Sequence, residues 1–291
     1  MQNKICVYTG KLLAYNQPMR KLILFFIFIV FLQGAANAKS VEFSAVSNLS
    51  LEVDKSVKYA DKMTPSIKNL LDVVEQINNN QSEFTIFLGD NLKGPDKYNL
   101  VMFAKIIRKL KKPVYALVGD KDVSQTKNLD KKEYYRVLNI FSKNRIKDYP
   151  YTKKINGFIF VFLDGVNQFI PTQYGYYKED QTALLDEILN KYKNNPVVIV
   201  GHYPIFASDE IKENMLPNNI NSLHTILSHH NNVIAVISGH HNIDDEYTKD
   251  GIYNISVQSL SRTGEYKKIY IDYDEKTKST FVKTRIYGIE Q

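Results

Sequence analysis

The chain contains one cysteine, Cys6, among 291 residues, and no apolar run longer than the eleven residues from Leu22 to Leu32. It also lacks internal repeats and any proline- or glycine-rich linker. Each shortage excludes something. A single cysteine rules out an internal disulfide, so the core alone must stabilise the fold. Eleven apolar residues are too few to cross ~30 Å of hydrocarbon as a helix. Without repeats or a linker, the length fits one large α/β domain rather than a solenoid or a string of modules. Apolar residues make up 44% and charged residues 24%, a balance that supplies a sizeable core and argues against disorder.

What is present begins with the layout of an export signal. Arg20 and Lys21 precede the Leu22–Leu32 run, and the triplet Ala36-Asn37-Ala38 follows it. A basic start, a short greasy stretch and a small-residue A-x-A site read as a secretory signal peptide cleaved after Ala38. Met19 would serve as a start giving a signal of ordinary length. The expected division is therefore residues 1–38, an N-terminal extension and signal, and residues 39–291, one domain. Removing residues 1–38 removes Lys4, Lys11, Arg20 and Lys21 and no acid, so the formal charge falls from +7 to +3. A charge of that size gives no argument for nucleic acid. The expected location is periplasmic or secreted, with no stable membrane anchor after cleavage. The sequence does not specify an oligomeric state.

The remaining chain alternates short apolar strands with amphipathic helices. Strands are predicted at Val41–Val46, Phe84–Leu88, Val114–Val118, Tyr151–Ile155, Phe158–Leu163, Val197–Val200, Val233–Ser238, Ile252–Val257, Lys268–Asp272 and Thr280–Ile286. Helices are predicted from Thr64-Pro65 to Asn78, through Met102, Ile106 and Leu110, over Lys131–Ser142 and over Asp180–Tyr192. Lys109, Lys111 and Lys112 read as cations at a helix C-terminus. Asn156-Gly157 is a strong two-residue hairpin signal.

Four strands run into a turn carrying a metal-capable side chain: Gly89-Asp90, Gly119-Asp120, Gly201-His202 and Gly239-His240. In α/β sheets, ligands gather at the carboxyl ends of strands. Two carboxylates and two imidazoles suit Mn, Fe, Zn or a similar ion. All six histidines fall between His202 and His241. A single histidine after a strand is usually only a loop residue; four such turns in series carry more weight.

In order, the segments FSAVSNLSL, FLGDN, LVGDKD, VGHYP and SGHHN resemble the motif series of calcineurin-like metallophosphoesterases: D-x-H, G-D, G-N-H-[DE], G-H-x-P and G-H-x-H. The resemblance runs from about Phe43 to Gln258. It implies an α/β fold built as a β-sandwich of two mixed sheets flanked by helices. It implies a pair of divalent ions holding a hydroxide that attacks phosphorus in a phosphate ester. Carried over residue by residue, one ion would be held by Asp90, Asp120, His202 and His240, with Asp120 replacing an asparagine. The other would share Asp90, but Asn48 and Ser50 replace its aspartate and histidine, and Asn242 replaces its last histidine. A final turn one residue shorter would bring His241 to that place instead. Lys121 stands where the family has its catalytic histidine and would neutralise a phosphate oxygen. Asp122 matches the acidic position that follows, and is the second candidate for a catalytic role.

Two readings follow. One is an exported metal-dependent phosphoesterase that hydrolyses phosphate mono- or diesters through a metal-bound hydroxide, on a small-molecule substrate. The other is a catalytically degenerate family member acting as a binding or scaffold protein in the cell envelope. The exchanges at Asn48, Ser50, Lys121 and Asn242 favour the second.

Overall fold

In a computed structural model, the protein is described over residues 38–54, 63–127, 129–142, 145–146, 149–167, 169 and 173–289. The signal segment therefore lies outside the described residues, Ala38 excepted. Among the described residues no helix is long and apolar enough to cross a membrane.

Two mixed sheets stack face to face. The first contains β1 (Ala38–Val46), β2 (Phe84–Phe87), β3 (Val114–Ala116), β10 (Glu265–Asp274) and β11 (Thr280–Gly288), in the order β11-β10-β1-β2-β3. The second contains β4 (Tyr151–Ile155), β5 (Phe158–Phe162), β6 (Val197–Val200), β7 (Val233–Ser238), β8 (Asp245–Lys249) and β9 (Ile252–Ser256), in the order β4-β5-β6-β7-β9-β8. Strands β1, β2 and β3 are mutually parallel, as are β5, β6, β7 and β9. Their carboxyl ends therefore emerge together. The outer strands β10, β11, β4 and β8 pair antiparallel to their neighbours.

The layer between the sheets is aromatic. Phe43 stacks on Phe84 with centroids 4.9 Å apart, and Phe160 meets Phe84 edge-on at 5.1 Å. Phe43 of β1, Phe84 of β2 and Phe160 of β5 are fully buried side chains, each contributing roughly 1.5–3 kcal/mol by leaving water. Helices cover the outer faces. Helices α1 (Pro65–Asn79), α2 (Lys97–Ile107) and α3 (Lys131–Phe141) pack on the first sheet; α4 (Glu179–Lys191) and α5 (Ile220–Ser228) pack on the second. A one-turn helix, α6 (Leu260–Thr263), leads into β10. Covered on both faces, the central strands carry uninterrupted apolar runs, such as Val-Val-Ile-Val in β6.

Local chemistry sets the element ends. Thr64 caps α1, its hydroxyl accepting from the Ile67 N–H, and Pro65 occupies the first turn. Asn156 and Gly157 both take positive φ, 48° and 86°, as the tight turn between β4 and β5 requires. The second helix stops at Ile107, short of the lysines expected at its end. The Asn78 side chain explains this: its amide accepts from the Lys111 N–H at 2.8 Å and donates to the Lys109 carbonyl at 3.1 Å, pinning a turn there. Helices α5 and α6 and strand β8 are additions to the sequence reading.

Candidate metal centre

The site is assembled where five strands end. Asn48 and Ser50 follow β1; Asp90 follows β2; Asp120, Lys121 and Asp122 follow β3; His202 follows β6; and His240, His241 and Asn242 follow β7. The first two acid-bearing loops touch closely. A Cβ on Gly119 would lie 2.1 Å from the Asp90 backbone nitrogen and 2.4 Å from its Oδ1. Gly89 sits at φ 94° with the His202 Nδ1 where its Cβ would be. Glycine at both places is thus a condition for the loops to meet.

Asp90, Asp120, His202 and His240 converge, with one ligand atom from each lying within 4.8 Å of all the others. Asp120 Oδ1 is 3.1 Å from His202 Nε2 and 3.1 Å from His240 Nδ1, and those two nitrogens are 3.1 Å apart. Asp90 Oδ1 lies 3.6 Å from His202 Nε2. Asp90 is fully buried, His202 and His240 nearly so.

The outer nitrogens of the two imidazoles define what the inner ones offer. His202 Nδ1 donates to the Leu88 carbonyl at 2.6 Å, and His240 Nε2 donates to the Gln173 carbonyl at 2.8 Å. A carbonyl can only accept, so in each neutral ring the nitrogen facing the cluster carries a bare lone pair. Such backbone anchoring fixes tautomer and ring orientation in metal sites. Two lone pairs and two carboxylates around one point require a cation, whether proton or metal ion. Burial alone would raise the Asp120 carboxyl, but the contacts with His202 and His240, and the charge those rings carry when protonated, hold it well below the carboxylate range. Burial would lower His202, but the Asp90 charge and the contact with Asp120 raise it. The N/O donor set suits a divalent ion of the Mn, Fe or Zn class.

Lys121 holds both oxygens of Asp90. Its Nζ lies 2.5 Å from Asp90 Oδ2, and its backbone N–H donates to Asp90 Oδ1 at 3.1 Å. The ammonium side chain is half-exposed, whereas its partner is sealed.

Three expected site residues stand differently from their sequence assignment. Asn48 and Asn242 are brought together, but their amides are committed to the protein. Asn48 Nδ2 donates to Asn242 Oδ1 and to the His240 carbonyl, both at 2.9 Å. Asn48 Oδ1 accepts from Ser47 Oγ at 2.6 Å and the His240 N–H at 3.2 Å. The Asn48 oxygen is thereby filled, and Asn242 Oδ1 already accepts from Asn48. His241 does not substitute for Asn242: its Nε2 donates to the Met215 carbonyl at 2.9 Å, outside the four-residue cluster. Burial and the neighbouring His240 push the His241 ring down to about 4, so it is neutral there.

Asp122, a candidate for catalysis, is fully buried and faces the loops rather than the cluster. It accepts from the Leu92 N–H at 2.7 Å and the Gly119 N–H at 2.8 Å, with the Asn91 amide at 3.3 Å. Burial and the Asp90 charge push it up to about 7, against those hydrogen bonds. It fastens the β2 loop to the β3 loop. Sequence reasoning missed the two carbonyls that anchor the imidazoles, since a backbone oxygen has no letter. It also missed Tyr203, a buried ring 4.5 Å from His240.

A family description of calcineurin-like phosphoesterases matches residues 64–243. A search among curated proteins finds no match. Among solved structures, the chain is similar to a dimetal phosphatase from Danio rerio, with 15% identity, TM-score 0.61, and 83% of this chain and 98% of that one covered. It is similar to TT1561 of Thermus thermophilus, with 12% identity, TM-score 0.53, and 84% and 98% covered. It is also similar to GAP50, described as the anchor in the inner membrane complex of Plasmodium, with 14% identity, TM-score 0.52, and 87% and 90% covered. At such identities these likenesses establish the fold.

Proposed function

The chain belongs to the calcineurin-like phosphoesterase family, and from that premise we propose that it is an exported, metal-dependent phosphoric ester hydrolase acting on small phosphate mono- or diesters. The convergence of Asp90, Asp120, His202 and His240 on one point carries this reading. Those four side chains would hold the ion. Leu88 and Gln173 keep the two imidazoles turned so that their lone pairs face it. A divalent ion there would supply Lewis acidity toward a phosphoryl oxygen and would acidify water. Lys121 adds a half-exposed ammonium beside the cluster, able to donate to an anionic oxygen while neutralising Asp90. Asp122 keeps the Gly119 turn, and hence Asp120 and Lys121, in register with Asp90.

The export part of the proposal rests on the basic-apolar-small layout of residues 20–38. Fractionation and N-terminal sequencing of the mature protein test it; Lys39 as first residue supports cleavage after Ala38, and a retained Leu22–Leu32 run in a cytosolic pool sinks it.

A second reading has its own observation. The Asn48–Asn242 amide pair and the Lys121–Asp90 ion pair engage expected ligand positions in contacts within the protein. A family member of that kind would serve as a binding or scaffold protein of the cell envelope, and one similar structure is described as an anchor. Elemental analysis of the purified mature chain, followed by Mn-dependent assays on aryl phosphate mono- and diesters, separates the two. Turnover that is lost in both His202→Ala and Asp90→Asn supports the hydrolase. No bound metal and no turnover with any of Mn, Fe or Zn leaves the scaffold.

A further inference from the structure

We propose that the Lys121 ammonium takes the place of one of the two metal ions that the sequence resemblance implies, so that the site holds a single divalent ion beside a cation built into the chain. The inference rests on the metal-site reading above and adds which half of the site is metal and which half is protein.

The division of one carboxylate carries it. Asp90 is fully buried, and its two oxygens have different side-chain neighbours, although Oδ1 also accepts from the Lys121 backbone N–H at 3.1 Å. Oδ1 lies on the side of His202, 3.6 Å from its Nε2. Oδ2 is held by the Lys121 Nζ at 2.5 Å. A carboxylate that bridges two positive centres is arranged in this way, and here one of those centres is an ammonium. The pair is not an ordinary surface ion pair, because Asp90 cannot turn to water if the lysine leaves.

The positions of Asn48 and Asn242, expected ligands of the second ion, are joined by neutral hydrogen bonds. Both Asn48 Nδ2 protons are used, on Asn242 Oδ1 and the His240 carbonyl, and Oδ1 accepts twice. The complement of an asparagine side chain is thereby filled. An ion placed beside Asn48 and Asn242 would have to break that network and would gain only Asp90 as a charged ligand. An ammonium asks for less: three acceptors rather than a full coordination shell, and no loading step. It still contributes positive charge next to the phosphate, but no Lewis acidity.

The test uses the mature protein, Lys121→Met and Lys121→Arg. Mn content is read by equilibrium dialysis with elemental analysis, and the Mn environment by electron paramagnetic resonance. Wild type is expected to hold one Mn per chain, with the hyperfine signal of an isolated ion. Lys121→Met removes a charge that repels the divalent ion, so Mn should bind at least about tenfold more tightly. Inorganic phosphate should bind the Mn-loaded variant at least about tenfold more weakly, since an anion loses its cation. Lys121→Arg should stay near wild type in both. A lysine that only props up the loop would weaken both affinities together, and that result, or unchanged Mn affinity in Lys121→Met, overturns the proposal. Two Mn per wild-type chain with an exchange-coupled spectrum overturns it while leaving the hydrolase reading intact. No Mn in wild type removes both.

Discussion

Replacing Gly119 by alanine is the sharpest probe of how the two acid-bearing loops meet. The new Cβ would sit 2.1 Å from the Asp90 backbone nitrogen and 2.4 Å from Asp90 Oδ1, against an ordinary contact distance of 3.4 Å or more. About 1.3 Å must therefore be found by moving backbone, since no flexible side-chain tip is available to yield. Overpacking of this kind costs ~1–3 kcal/mol in stability. The site should be affected as well as the fold, because Asp90 and Asp120 ride on the two loops being pushed apart. A displacement of about 1 Å at a reacting centre costs on the order of 100-fold, so Mn affinity should fall at least about tenfold, equivalent to ~1.4 kcal/mol. The assays are calorimetric Mn titration and thermal unfolding, with Gly94→Ala as control, since a Cβ at Gly94 meets nothing within 4 Å. If Gly119→Ala bound Mn within twofold of wild type, the two loops would not form one site and the argument would fail.

Two further outcomes follow from buried polar groups. Asp122→Ala leaves the Leu92 and Gly119 N–H groups without an acceptor, and should cost ~2–4 kcal/mol in urea unfolding; loss of activity with unchanged stability would instead make Asp122 a catalytic residue. Lys267 is a fully buried side chain of β10, and its ammonium pairs with Asp244 and Glu246 at the edge of the second sheet. Its two partners are over a third exposed and can hydrate once freed, so Lys267→Ala should cost ~2–4 kcal/mol and Lys267→Met less than ~1.5 kcal/mol. Equal losses in the two variants would show that charge pairing, not packing of the lysine stem, holds the sheets together there.

How far the sequence could be read depended on whether a residue's job was done by its side chain or by the backbone. Strands β6 and β7 were legible because both faces are covered, which forces unbroken apolar runs. Strand β8, Asp-Glu-Tyr-Thr-Lys, was not, because an edge strand paired only with β9 can remain polar. Helix α5 is short and buries only Leu223 and Leu227, too few apolar positions to mark a helical face in the sequence. The four glycine-led turns named the clustered residues because the letters themselves bear the ligand atoms. Asp122 misled because its letter fits catalysis while its direction, inward onto Leu92 and Gly119, is a matter of three dimensions. The choice between His241 and Asn242 was likewise settled by backbone: His240 and Asn242 both take left-handed φ, 67° and 61°, which turns His241 away to Met215.

That backbone also explains how ligand positions can change while the cradle persists. Of the eight non-glycine residues with positive φ among the described residues, five line this site: Asn48, Ser50, Asp90, His240 and Asn242. Such conformations are uncommon and concentrate at functional sites. Here main-chain bonds hold them: Asn48 N–H to the Gly89 carbonyl at 3.2 Å, Ser50 N–H to the Asp90 carbonyl at 3.0 Å, and Ser261 N–H to the Asn48 carbonyl at 3.2 Å. Main-chain bonds thus shape the loops, and side chains on them can be exchanged one at a time. The exchange has its own energetics, however. Asn48→Asp would turn a carboxylate oxygen toward the His240 carbonyl and Asn242 Oδ1, replacing two donated hydrogen bonds by acceptor–acceptor contacts. A loss of ~2–3 kcal/mol is expected, measured by urea unfolding without added metal. Asn48→Asp as stable as wild type would mean that the amide pair does not close this half of the site, and the protein would be free to admit a second ion after all.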